Sequence, residues 1–144
     1  MQTIALVSCV KSKQPQASRA CDLYTSALFR KMRAYAERQA DGWYILSAKY
    51  GLVHPTAIIE PYELTLKTMA RAERRAWARG THAQLRAADL LRPEVQFLWL
   101  AGRPYMEDLA LLLKDHAQLD PLAGMPIGVR LRWLTQQLEG WASA

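Results

Sequence analysis

A chain of 144 residues has the length of a single domain, because domains cluster at about 100–150 residues. Its composition, 51% hydrophobic and 22% charged, is typical of a globular core and excludes a disordered or fibrous chain. No apolar run approaches the ~18 residues of a bilayer span, and two cysteines are too few for a disulfide framework. We therefore expect a cytoplasmic protein without membrane contacts.

The charge is unevenly distributed along the chain. Residues 1–49 and 67–92 each carry a net charge of +5, whereas residues 50–66 and 93–144 each carry −2, which gives the overall +6. Clustered Lys and Arg side chains can displace counterions from phosphates, so the two basic blocks indicate a surface that faces a polyanion. The alternative, left open by the sequence, is that they are only solvated helix faces.

Three short apolar runs predict buried strands: Ile4 to Ser8, Trp43 to Ser47 and Val95 to Ala101. None alternates between polar and apolar residues, which is typical of parallel strands covered on both faces. A fourth strand near His116 to Leu119 has a weaker signal, and this segment could equally be a loop.

The intervening segments have helical periodicity. The first predicted helix is capped by Asp22 and includes Tyr24 to Ala36, and the second runs from about Met69 to Leu91 with a break near Gly80. Two further helices are predicted to begin near prolines, Pro104 and Pro126. Strands alternating with helices predict an α/β fold, a three-layer α/β/α domain over residues 1–144 with a mostly parallel central sheet of about four strands.

In open α/β sheets, ligands bind beyond the carboxyl ends of the strands. Hydroxyls, lysines, an arginine, tyrosines and glycines follow the three predicted strands, and such groups suit a phosphate-bearing ligand. The candidate residues are Ser8, Cys9, Lys11 and Lys13 after the first strand, Ser47, Lys49, Tyr50 and Gly51 after the second, and Gly102, Arg103 and Tyr105 after the third.

Two of these candidates have competing structural explanations. Cys9 is a thiolate nucleophile if Lys11, Lys13 or a helix terminus lowers its pKa, and otherwise a small buried hydrophobe. Lys49 lies between a buried strand and Tyr50, which makes a purely solvent-exposed role harder to explain.

The segment from Leu52 to Leu66 contains two prolines and no basic residue, so we predict a structured loop. Glu60 in this loop is a candidate general base or ribose ligand, and its alternative role is an ion pair with Lys49. The segment that follows places Arg71, Arg75 and Arg79 on one helical stripe, with Lys67 one turn earlier and Arg74 adjacent. That stripe could follow a nucleic-acid backbone or simply face solvent.

Common cofactor motifs are absent from the sequence. It contains no G-x-G-x-x-G, Walker A, H-E-x-x-H or C-x-x-C pattern, which disfavours the common NAD, ATP and zinc chemistries. We expect neither a bound metal nor a cofactor.

Four segments resemble known families: Ser8 to Lys13, Asp22 to Lys31, Leu46 to Leu52 and Ile59 to Leu64. Together they resemble a family of small bacterial and archaeal domains of unknown function, and the last two are similar to the YaaA peroxide-stress family, which is associated with DNA binding. Cys9, Lys13, Tyr24 and Ser26 resemble, more loosely, a domain of archaeosine synthases that is sometimes grouped with uracil-DNA-glycosylase-like folds. These resemblances imply a nucleic acid or nucleobase as the ligand and the strand-end residues as its site.

The leading hypothesis is a protein that binds nucleic acid, with DNA favoured over RNA, or a nucleotide at the carboxyl rim, and that could process a base. Lys11, Lys13, Lys49 and Arg103 would hold phosphates, and Tyr24 and Tyr50 would stack on a base or sugar. Chemistry would fall to Cys9, Lys49 or Glu60, and the remaining candidates near the ligand are Ser8, Ser26, Ser47, Gly51, Tyr62, Gly102 and Tyr105. The alternatives are a non-catalytic DNA-binding protein of the oxidative-stress response that uses the arginine stripe, and an interaction domain with no nucleic-acid ligand.

Overall fold

The computed structural model describes residues 1–8 and 13–142. Its elements in chain order are β1 (Gln2–Ser8), β2 (Ser18–Arg19), α1 (Ala20–Leu23), α2 (Ala27–Gln39), β3 (Gly42–Ser47), β4 (Gly51–Val53), β5 (Ile58–Ile59), a 3-10 turn (Leu66–Thr68), α3 (Arg71–Ala87), β6 (Val95–Leu100), α4 (Arg103–Leu112), β7 (Gln118–Leu119) and α5 (Ile127–Ala142). The described residues thus form a mixed α/β domain with five helices.

Five strands form the central sheet, in the order β4-β3-β1-β6-β7. Strand β1 pairs in parallel with β3 and β6, with Val7 opposite Ile45 on one side and Leu100 on the other. These three side chains are fully buried. The mostly parallel sheet and its three apolar strands are therefore confirmed.

The weakly predicted strand near residues 116–119 is present as β7, which pairs in parallel with Phe97 and Leu98 of β6. The indole Nε1 of Trp99 donates to Gln118 Oε1 at 2.8 Å, which attaches β7 to the sheet through a side chain as well as the backbone. The sheet has five strands rather than four because β4 joins its other edge.

The prediction of a loop throughout residues 52–66 is wrong at two places. Strand β4 pairs antiparallel with β3, so that Leu52 lies opposite Leu46, and β5 pairs with β2 in a separate two-stranded sheet. Gly51 makes the reversal possible because its φ of +72° suits a residue without a Cβ. Gln84 completes the turn, with Oε1 accepting from Leu52 N at 2.8 Å and Nε2 donating to Tyr50 O at 3.1 Å.

Gly51→Ala is expected to lower the free energy of unfolding by about 2 kcal/mol, from left-handed backbone strain and displacement of Gln84. A Cβ at this position would collide with Gln84 Oε1. The control is Gly80→Ala, where an added methyl group meets no atom within 4 Å, and which should stabilise the helix by about 0.5–1 kcal/mol. Urea unfolding followed by circular dichroism measures both, and equal changes would contradict the proposed role of Gly51.

Two helix boundaries differ from prediction. Ser26, rather than Asp22, is the N-cap of α2, and its Oγ accepts from Phe29 N at 3.1 Å. Asp22 lies in the short α1 and binds Arg19 and Arg33 at 2.8 and 3.2 Å, and hydrogen bonding to these arginines holds the pKa of its carboxyl below the ordinary value. The carboxylate that was expected to cap the helix therefore forms ion pairs with these arginines instead.

Helix α3 continues through Gly80 without the predicted break. It buries Ala78, Thr81 and Leu85, and it packs on both β4 and α4. This packing outweighs the ~1 kcal/mol that a helical glycine costs relative to alanine.

The carboxyl ends of β1, β3 and β6 lie at one edge of the sheet, which we call the rim. Ser8, the last residue of β1, is buried, and its Oγ accepts from Gly102 N at 3.0 Å, just beyond β6. No helix in the described ranges 1–8 and 13–142 is long and apolar enough to span a bilayer.

Candidate functional site

A cavity of about 780 Å³ opens at the rim between β1 and β6. This volume lies within the roughly 300–1,000 Å³ of small-molecule sites. The cavity has an apolar wall that includes Leu28, Met32, Tyr105 and Met125. Its polar lining, within the described part of the chain, comprises four cations, one carboxylate and four serine or threonine hydroxyls, namely Lys13, Lys67, Arg103, Arg130, Glu63, Ser8, Ser26, Thr65 and Thr68. The balance of charge favours an anion, and the apolar wall favours a ligand with a flat or hydrophobic part.

Three helices begin at this cavity. Ser26 and Gly102 are the N-caps of α2 and α4, and Ile127 is the first residue of α5. All three line the cavity. Since the N-terminus of a helix carries about half a positive charge, these helix ends add to the attraction that the cationic side chains exert on an anion.

Arg130 is a cavity residue that the sequence analysis missed. Its Nε donates to Met125 O at 2.8 Å and its Nη1 donates to Ala101 O at 3.0 Å, so it links the end of β6 to the start of α5. Burial raises the pKa of the nearby Asp120 carboxyl, and the positive charge of Arg130 opposes that rise. The sequence did contain one signal for Arg130. It lies one turn after Pro126, which was predicted to begin a helix, and the start of that helix lies at the rim.

Next to the cavity, buried hydroxyls form a hydrogen-bonded chain. Tyr24 OH and Tyr62 OH are 2.7 Å apart, and Ser47 Oγ donates to Tyr62 OH at 2.7 Å. Ser47 Oγ also accepts from the main-chain N–H groups of Lys49 and Tyr50, at 3.3 and 3.1 Å. The predicted residues Tyr24, Tyr62 and Ser47 therefore do come together.

Lys13 joins this hydroxyl chain to the cavity. Its Nζ lies 4.6 Å from the centroid of the Tyr62 ring and 5.8 Å from that of Tyr24, and its side chain lines the cavity. The negative faces of the two rings attract the ammonium group. The tyrosines thus position a cation at the wall of the cavity.

Tyr62→Phe is expected to lower the free energy of unfolding by about 1–3 kcal/mol, because the buried hydroxyl of Ser47 loses its acceptor. Tyr44→Phe is the control, since no hydrogen bond from its hydroxyl to a described residue is present. Thermal and urea unfolding measure both variants. A Tyr62→Phe protein as stable as the control would show that the hydroxyl chain contributes little.

Other predicted site residues lie away from the cavity lining. Lys49 and Glu60 are exposed, and no ion pair joins them in the part of the chain that the structure describes. Lys49 Nζ instead lies 5.2 Å from the centroid of the Tyr50 ring, and Tyr50 packs edge-on against Tyr62. Gly51 is the turn residue described above. Cys9 and Lys11 lie outside the described residues.

The arginine stripe lies on the surface of α3. Arg71, Arg75 and Arg79 are exposed and form no ion pair with the described residues. Arg74 differs from them, since it is partly buried and its Nε has no hydrogen-bond partner among the described residues. Lys67 lies in the 3-10 turn before α3 and also lines the cavity, so the stripe begins at the edge of the cavity.

The fold and the cavity define a mixed α/β protein with a cation-lined cavity at the carboxyl rim of its sheet. The chain belongs to a family of unknown function, DUF6884, which matches residues 4–136 and so includes every described cavity residue. It is also similar to the uncharacterized protein YfjM of Bacillus subtilis (strain 168), with 27% identity over 157 residues that cover 96% of this chain and 97% of the relative.

Proposed function

We propose that this protein binds a nucleotide, free or as part of a nucleic acid, in the cavity at the rim. The observation that carries the proposal is the lining of that cavity, with four cations against one carboxylate beside an apolar wall. A phosphate would contact the cations and the N-termini of the helices, and a base or sugar would pack on the apolar wall.

A three-layer α/β/α arrangement would support such a site. Strands β3 and β6 flank β1 on opposite sides, and crossover connections between parallel strands are nearly always right-handed. We therefore place α2 and α3 on opposite faces of the sheet. Helix α2 packs on α5, and α3 packs on α4. These two separate pairs agree with one pair of helices on each face of the sheet.

In this proposal Lys13, Lys67 and Arg103 contact phosphate, and the hydroxyls of Ser26, Thr65 and Thr68 offer further hydrogen bonds. Tyr105 lies 5% exposed in the wall and packs edge-on against Trp77, which makes it a fixed aromatic surface beside a base. The proposed nucleobase ligand agrees with the resemblance to the archaeosine synthase domain. Roles for Cys9, Lys49 and Glu60 in base processing remain predictions.

The second candidate function is non-catalytic DNA binding through α3. The observation that favours it is the exposure of Arg71, Arg75 and Arg79 on one face of a helix, with Glu73 as the acidic residue of its first turn. The resemblance to the YaaA family points the same way. In this case the stripe supplies most of the affinity, and binding weakens steeply with salt.

The proposed function predicts saturable binding of mononucleotides that depends on the cavity cations. In Lys67→Ala/Arg103→Ala, binding should weaken by roughly 100-fold or more, because two hydrogen bonds to charged groups are lost and each contributes about 1.5–3 kcal/mol. Isothermal titration calorimetry with the four 5′-mononucleotides measures this. The matched control, Arg30→Ala/Arg132→Ala, removes the same charge from exposed sites outside the cavity and should change affinity less than twofold.

A second measurement separates the two candidate functions and tests for chemistry. Single-stranded and duplex DNA and RNA oligonucleotides, some with damaged or modified bases, are assayed for retention and for release of free base. Retention without release favours a binding protein, and release identifies an enzyme. If no mononucleotide and no oligonucleotide is bound, the proposed function is wrong.

A further inference from the structure

Arg130 is held in one orientation by the main chain. A guanidinium has five N–H donors, and two of them are used by the carbonyls of Met125 and Ala101. Neither Nη2 nor the second N–H of Nη1 has an acceptor among residues 1–8 and 13–142, and no carboxylate of these ranges lies within ion-pair distance of Arg130. The three remaining N–H donors, on Nη1 and Nη2, form the free edge of a side chain that lines the cavity, and they can bind oxygens of an anion.

Two other cations of the cavity, Arg103 and Lys67, are less constrained than Arg130. Arg103 is 86% exposed and lies 3.9 Å from Glu107, and Lys67 is exposed on the 3-10 turn. Both must lose side-chain entropy when they bind a ligand, whereas Arg130 is partly buried and already ordered. A preorganised arginine binds an anion with less loss of entropy than a mobile one.

The position of Arg130 also suits a phosphate. Ala101, which accepts from its Nη1, directly precedes the N-cap of α4, and Met125 lies two residues before the first residue of α5. An anion on the free edge of Arg130 would thus lie near the N-termini of two helices, whose dipoles favour negative charge.

We propose that Arg130 is the principal phosphate-binding residue of the cavity, so that the ligand is a phosphorylated nucleotide rather than a nucleoside or a free base. This inference rests on the proposed function, because it assigns the phosphate of the nucleotide to one side chain. The ligand places its phosphate between the starts of α4 and α5, and its base or sugar against the apolar wall.

The test compares each nucleoside with its 5′-monophosphate by isothermal titration calorimetry. In the wild-type protein the monophosphate should bind at least about 1,000-fold more tightly than the nucleoside, because several cations contact the phosphate. In Arg130→Met this ratio should fall by about 10- to 100-fold, which corresponds to about 1.5–3 kcal/mol, while the affinity for the nucleoside stays unchanged. In Arg130→Lys, which keeps the charge and loses the planar guanidinium, the ratio should be intermediate.

Arg130 also binds two carbonyls, so Arg130→Met could be destabilised, and circular dichroism establishes whether it is folded. If it is not, Arg130→Lys keeps a donor for these carbonyls and tests the same ratio. A ratio that persists in the folded variants shows that Arg130 only links β6 to α5, which overturns the inference and leaves the proposed function intact. Failure of the wild-type protein to bind either member of any pair overturns both.

Discussion

Reversal of the charge at Arg71, Arg75 and Arg79 together, by replacement with glutamate, should lower the affinity for duplex DNA by roughly two to three orders of magnitude near 0.1 M salt. The reason is the release of counterions, which contributes about −0.9 to the log–log salt slope for each phosphate contact. Loss of three contacts should therefore also reduce the slope by about 2.7. Fluorescence anisotropy with a labelled duplex, repeated over a range of salt concentrations, measures both quantities.

The matched control reverses Arg30, Lys114 and Arg132, which are exposed and lie outside α3 and the cavity lining. Both triple variants have the same net charge, so a difference between them reports position rather than total charge. The stripe variant should keep its affinity for mononucleotides, because none of its three arginines lines the cavity. If duplex binding survives in the stripe variant, the second candidate function is wrong.

Most of the sheet could be predicted because its three central strands are short apolar runs with helix-length connections between them. Such runs are stable only where other elements cover both faces of the strand, and this arrangement is typical of parallel sheets. Strand β4 was missed because its three residues carry no periodicity of their own. Its formation depends on the turn at Gly51 and on the side chain of Gln84, which reaches Leu52 from 32 positions away.

The candidate site was predicted in part for a related reason. Ser8 and Gly102 meet because both follow parallel strands that are neighbours in the sheet. Lys49 and Glu60 also follow or lie near a strand end in sequence, yet the chain reverses at Gly51 and pairs along the outer edge of β3. Neither residue is among the described residues that line the cavity between β1 and β6.

The position of Arg130 one turn after Pro126 could place it near the rim, but its contact with Ala101, 29 residues earlier in the chain, could not be read from the sequence. Ser26 was proposed as a ligand residue and is also the N-cap of α2, so its Oγ already accepts from Phe29 N. A serine N-cap can be recognised from sequence, but here Asp22 offered the same capping chemistry four residues earlier. In the structure Asp22 forms ion pairs with Arg19 and Arg33 instead, and Ser26 is the N-cap.

Trp99→Ala should lower the free energy of unfolding by about 3–5 kcal/mol. Trp99 is fully buried in β6, so truncation leaves a large void at the centre of the sheet. It also removes the donor to Gln118 Oε1, whose Nε2 donates to Ala110 O and Leu113 O at 3.2 and 2.8 Å. Since small domains are stable by only about 5–15 kcal/mol, the variant should be close to unfolding. Urea unfolding followed by far-ultraviolet circular dichroism measures the change.

Two variants separate the contributions of volume and hydrogen bonding at this position. Gln118→Ala leaves the indole in place and removes its acceptor, which should cost about 1–3 kcal/mol. Trp141→Ala removes the same side chain at a partly exposed site, where it packs on Tyr35 at 5.4 Å, and should cost less than Trp99→Ala. Equal losses for both tryptophans would contradict the central position of Trp99.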